Sequence, residues 1–110
     1  MNISTKKEAS ALLVTVAGRM DAVTAPEFEK SILDFIAQGE RNFLINLSGL
    51  EYISSAGLRS ILAAAKRLKE QDGKIVFSGL QGHVKEVFTI SGFQGIFKIY
   101  DSDAEGLKAI

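Results

Sequence analysis

Apolar residues change rhythm several times along the 110-residue chain. The run Ala11-Leu12-Leu13-Val14-Thr15-Val16-Ala17 is apolar and rich in β-branched side chains, which predicts a strand ending at Gly18. The more polar Asn2 to Lys7 predicts an edge strand paired with it, with Lys6-Lys7-Glu8 near the turn. Phe28, Ile32, Phe35 and Ile36 recur at helical spacing, so a helix is expected up to Gly39. Its start carries Thr24 as cap, Pro26 in the first turn and Glu27 in capping-box register with Thr24.

Further on, Asn42-Phe43-Leu44-Ile45-Asn46-Leu47 has the short apolar run of a central strand buried on both faces. A loop is expected to follow, carrying Tyr52 and ending at the adjacent Ser54 and Ser55. Leu58, Ile61, Leu62, Ala65 and Leu68 then form an apolar helical stripe, with Arg59, Lys66, Lys69 and Glu70 largely opposite. Arg59 and Ser60 are read as the helix face least needed by the core. Asp72-Gly73 closes that helix, and Lys74 to Ser78 reads as another buried strand. Val84, Val87, Phe88 and Ile90 predict a shorter helix ended by Ser91-Gly92. Ile96 to Tyr100 is a last strand, and Ser102 or Asp103 caps a final turn through Leu107.

The order β-β-α-β-α-β-α-β-α predicts one α/β domain over residues 1–110. Its central sheet is expected to be mostly parallel, of about five strands with an antiparallel N-terminal edge strand, flanked by about four helices.

Composition narrows the chemistry. Thirteen basic and 13 acidic residues give a formal net charge of zero, without the basic field of a dedicated nucleic-acid binder. There is no cysteine, hence no disulfide framework, thiolate nucleophile or cysteine zinc site. His83 is the only histidine, so a built-in transition-metal site is not expected, and no cofactor signature is present. The N-terminus lacks a signal-peptide core, and no apolar run approaches the roughly 20 residues of a bilayer span, so a cytoplasmic chain without membrane contact is expected.

The serines pose the functional question. Ser54-Ser55-Ala56-Gly57 is not a G-x-S-x-G nucleophile elbow, and nothing in the sequence places His83 beside Ser55 as a general base. Gly79-Leu80-Gln81-Gly82 lacks the lysine and spacing of a phosphate loop and reads as a strand-to-helix turn. Asp101 and Asp103 read as solvated or capping carboxylates. No catalytic constellation emerges, so the chain is not read as an enzyme. One serine suffices as a helix cap. The second then projects beyond the carboxyl ends of the strands, where open α/β sheets gather ligands and reactive groups. Gly57, lacking a side chain, would leave room for another molecule to approach.

At this point the residues carry a resemblance. Leu50-Glu51-Tyr52-Ile53-Ser54-Ser55-Ala56-Gly57-Leu58 resembles the signature of STAS domains, in particular bacterial anti-sigma factor antagonists. Val16 to Ala25 is similar to that family's approach to its first helix, a glycine followed by an apolar residue and aspartate. Gly73 to Phe77 and Val87 to Phe93 are similar to its later strand and its short helix ending in Ser-Gly-Phe. The resemblance implies partner switching. An anti-sigma factor serine kinase, which binds the ATP and magnesium, phosphorylates the serine at the position of Ser55. The unphosphorylated antagonist holds that kinase and frees a sigma factor, and a PP2C-type phosphatase resets the switch. Many members of the family carry aspartate before that serine, whereas Ser54 stands here. Ser55 is the phosphate acceptor by register from Gly57 and Leu58, with Ser54 as the alternative. Asp21, Thr24, Tyr52, Ser54, Ser55, Gly57 and Arg59 form the expected partner-binding patch, without direct contact to nucleic acid. A second interaction reading keeps the fold and places the chain as a stand-alone STAS subunit of another signalling pathway or of a lipid or anion transport complex.

Overall fold

The computed structural model describes all residues from 1 to 110. Five strands, β1 (Asn2–Glu8), β2 (Ala11–Met20), β3 (Asn42–Ile53), β4 (Lys74–Ser78) and β5 (Lys98–Tyr100), line up in the order of the chain. β1 and β2 form an antiparallel hairpin, and every later neighbour is parallel. The helices are α1 (Ala25–Ala37), α2 (Ser55–Glu70), α3 (Gly82–Ile90) and α4 (Asp103–Lys108), with one 3-10 turn at Phe93–Gly95.

This order constrains the layers. Each crossover from β2 to β5 steps the same way across the sheet, so right-handed connections put α1, α2 and α3 on one face. The core agrees with that placement. Phe28, Ile32 and Ile36 of α1, Ile61, Ala64 and Leu68 of α2, and Val84 and Phe88 of α3 share one cluster with Val14, Val16, Phe43, Ile45 and Phe77 of the sheet. Leu44 and Val76 alternate with those strand residues and point the other way. There α4 covers them, and Gly106 sits so close to Leu44 that a β-carbon would come within 2.8 Å of Leu44 Cδ1.

Three expectations change. First, β3 does not stop at Leu47 but runs to Ile53, and β2 continues past Gly18 to Met20. The two strands keep pairing beyond the point where β4 ends, with two register shifts that give β3 two extra residues. The Ser48-Gly49 step that looked like a loop is a bulged strand. Gly49 lies so near Ala17 that a β-carbon would meet Ala17 Cβ at 3.0 Å, while Asn46 Oδ1 accepts from the Ser48 amide and hydroxyl. Second, the inward face of α2 is Gly57, Ser60, Ile61, Ala64 and Leu68. Leu62 is exposed, and Ser60, expected outside, is buried. Leu62 instead lines an open groove of about 480 Å³ with Lys66, Lys69, Ile75 and Ile96, two turns and more along α2 from the serines. Third, Asp103 is no freely solvated carboxylate. It accepts hydrogen bonds from Asn46 Nδ2 at 2.9 Å and Ser78 Oγ at 2.6 Å, tying the start of α4 to the middle of β3 and the end of β4.

Candidate functional site

The carboxyl ends of β2 and β3 deliver two helix starts to the same place. The Ser54 amide donates to the Met20 carbonyl at 2.9 Å, so the segment before α1 and the segment before α2 leave the sheet side by side. The strand order has no reversal, so the switch-point crevice of doubly wound sheets does not form. None of the four cavities is lined by Asp21, Thr24, Tyr52, Ser54 or Ser55. This mouth is an open surface.

At α2 the two serines divide their tasks. Ser54 is the cap: its backbone is extended and its Oγ accepts from the Gly57 amide at 3.2 Å. Ser55 is the first helical residue, exposed, and its hydroxyl has no protein partner. Free N–H groups of the first turn and the helix macrodipole make that position tolerant of an anion. Gly57 corrects an expectation. It is buried, and a β-carbon there would lie 2.7 Å from Ile53 Cγ1 and 3.0 Å from the Met20 carbonyl oxygen. The space left by its missing side chain is filled by the protein's own β2 and β3 ends, so Gly57 seats the helix rather than leaving room for another molecule.

At α1 the side chains are consumed locally. Thr24 occupies the cap position, yet its side chain makes no capping bond and no capping box forms with Glu27. Its Oγ1 accepts from the Asp21 amide at 2.9 Å and donates to the Arg19 carbonyl at 2.8 Å. Asp21 instead holds the two residues ahead of α1, its Oδ1 accepting from Val23 N at 3.0 Å and Thr24 N at 3.1 Å. These bonds, that from Thr24 first and that from Val23 next, hold the Asp21 carboxyl below its ordinary value, with a smaller contribution from the charge of Arg19. Pro26 lies in the first turn as expected.

Tyr52, one residue before the end of β3, lies opposite Arg19 of β2. The Arg19 guanidinium lies 4.2 Å from the Tyr52 ring centroid, and the His83 ring stacks on Tyr52 at 5.2 Å with the planes 2° apart. Sequence reading put Tyr52 in the expected patch but not Arg19 or His83, because the stack gathers three residues from β2, β3 and α3. No hydrogen bond joins His83 to either serine. Arg59 is exposed on α2 and takes part in no ion pair.

Comparisons with known proteins agree with this architecture. The family model for the STAS domain matches residues 2–106. BtrV of Bordetella bronchiseptica, named for an anti-sigma factor antagonist role, is 37% identical over 102 residues, covering 93% of this chain and 88% of its own. A Thermotoga maritima crystal structure superposes with a TM-score of 0.92 at 22% identity, covering 98% of this chain and 93% of that one. The Bacillus cell-fate determinant SpoIIAA, solved in its phosphorylated form, gives a TM-score of 0.76 at 17% identity, with 98% of each chain covered. The latter two likenesses speak to the fold.

Proposed function

The chain belongs to the STAS domain family, and from that premise we propose that it is an anti-sigma factor antagonist switched by phosphorylation of Ser55. The unphosphorylated form binds an anti-sigma factor serine kinase in the cytoplasm and releases a sigma factor. ATP and magnesium belong to the kinase, and a PP2C-type phosphatase restores the binding form. The observation that carries this reading is the division of labour between the serines. Ser54 caps α2, and Ser55 stands exposed beside it with a free hydroxyl.

The physics of a phosphate at Ser55 fits a switch that leaves the fold intact. A phosphoserine adds about −1.5 to −2 charges at neutral pH. At a helix N-terminus that charge is tolerated by the protein that carries it. The cost falls on a partner surface pressed against it. A like-charge contact at about 4 Å costs ~4 kcal/mol gross at an effective dielectric near 20, of which screening leaves roughly 2–4 kcal/mol.

The test is incubation with ATP, magnesium and the cognate kinase, followed by mass spectrometry. One phosphate per chain is expected on Ser55, absent in Ser55→Ala, with loss of kinase binding on modification. Stoichiometric phosphate at Ser54 would overturn the assignment of the acceptor. Absence of both kinase binding and phosphate would overturn the function.

A further inference from the structure

The stack of Arg19, Tyr52 and His83 has no task in the capping of either helix. We propose that it is a preformed platform that reads a carboxylate on the docking face of the kinase, extending the contact from Ser55 toward α3. This rests on the reading of the chain as a kinase-binding antagonist.

The position is the first argument. Tyr52 lies three residues before Ser55, and Arg19 immediately precedes Met20, whose carbonyl receives the Ser54 amide. A partner covering Ser55 at this mouth therefore has Tyr52 and Arg19 as neighbours. His83 enters from the second residue of α3, and the preceding segment is pinned to β3 by Gln81 Nε2 donating to the Ser48 carbonyl at 3.1 Å.

The second argument is the chemistry left unused. Arg19 and His83 are exposed, and Tyr52 is half-buried. The guanidinium of Arg19 contributes to none of the three ion pairs, and none of its N–H groups has a protein acceptor. Asp21, two residues away, feels its charge without pairing with it. A planar fork of free donors held over an aromatic ring matches a carboxylate in bidentate geometry. Stacking restricts the side chains before the partner arrives, which lowers the ordering cost of binding. Tyrosine and arginine are also the residue types that most often dominate binding energy at protein interfaces.

The platform also explains why a phosphate would be effective as a switch. A partner face acidic enough to satisfy Arg19 is repelled by phosphate added at Ser55 nearby. Attraction at one end of the mouth and repulsion at the other then act on the same partner surface.

The experiment measures the Kd of the unphosphorylated protein for its cognate kinase by calorimetry, together with thermal stability and phosphate uptake. Arg19→Glu is expected to weaken binding about 30-fold or more, and Arg19→Lys about tenfold, since the fork is lost while the charge remains. His83→Ala is expected to weaken it about three- to fivefold. A kinase carboxylate changed to lysine should recover affinity with Arg19→Glu and lose it with wild type. Arg19→Lys and the salt dependence of wild-type binding keep the test decisive if Arg19→Glu unfolds. Unchanged affinity in Arg19→Lys and His83→Ala, with wild type still bound and phosphorylated, would overturn the platform and leave the function standing. A wild-type chain that neither binds the kinase nor takes phosphate would remove both.

Discussion

The starts of α1 and α2 leave the same end of the sheet, carry hydroxyl residues at the same cap position, and differ in what they leave over. At α1, Thr24 is held by the Asp21 amide and the Arg19 carbonyl, while Asp21 Oδ1 serves two amides and the Thr24 hydroxyl. At α2, a single bond from Gly57 N to Ser54 Oγ does the capping, and the next hydroxyl, on Ser55, is unassigned. The lesson is that a polar residue beside a helix start is informative by its surplus. A hydroxyl with two local partners is part of the scaffold, and one with none is available to another molecule.

The largest effect should come from placing charge where the surplus lies. Ser55→Glu is expected to weaken kinase binding by about 30- to 1,000-fold, the equivalent of roughly 2–4 kcal/mol, with thermal unfolding nearly unchanged. Calorimetric titration against the kinase, paired with a melting curve, checks both halves. A variant that melts much earlier would show that the first turn of α2 does not accept an anion. Gly57→Ala breaks the comparison differently, because its β-carbon would meet Ile53 Cγ1 at 2.7 Å and the Met20 carbonyl oxygen at 3.0 Å. Overpacking of about 1–3 kcal/mol exceeds the ~1 kcal/mol that alanine gains over glycine in a helix, so urea unfolding should register a net loss of about 1 kcal/mol.

Much of this was legible in the sequence. The hairpin, the three crossover helices and the mostly parallel sheet followed from periodicity, and a serine cap followed from the pair before Ala56-Gly57-Leu58, but that Ser54 is the one that caps is shown only by the structure. What was not legible depends on contacts between strands. Sequence pattern stops β3 at Leu47 because Ser48 and Gly49 carry loop composition. Their strand conformation is imposed by continued pairing with β2 and by Asn46 holding Ser48. The capping box at Thr24 failed for a related reason. Asp21 Oδ1 takes the Thr24 amide that a Glu27 side chain would accept in a capping box, and the Thr24 hydroxyl is turned to the Asp21 amide and the Arg19 carbonyl, which spacing alone does not show. The Arg19-Tyr52-His83 stack and the Asp103 network join residues whose neighbourhood exists only after the sheet has formed.

A more direct comparison is the removal of one hydroxyl from each helix start. Thr24→Val deletes an acceptor for the Asp21 amide and a donor to the Arg19 carbonyl, so a loss of about 1–2 kcal/mol is expected. Ser55→Ala deletes a hydroxyl with no partner, so stability should stay within about 0.5 kcal/mol of wild type. Equal losses in the two variants, measured by urea unfolding, would erase the distinction between scaffold and surplus.

The smallest effect is one of shape in a pH profile, and it isolates the α1 knot. Asp21 has a carboxyl lowered from its ordinary value of 3.8 by its bonds to Thr24 and Val23. A group lowered in the folded state contributes stability that is complete above its unfolded pKa and is lost as pH falls through the folded one. Asp21→Asn keeps an amide oxygen that can accept from Val23 N and Thr24 N but removes the titration. Urea unfolding between about pH 2.5 and 6 should therefore show wild type losing stability more steeply than Asp21→Asn below about pH 4. Above that range the two curves should run parallel, with wild type higher. Parallel curves throughout would mean that the ionised carboxylate adds nothing beyond geometry, and the α1 start would then rest on hydrogen-bond shape alone.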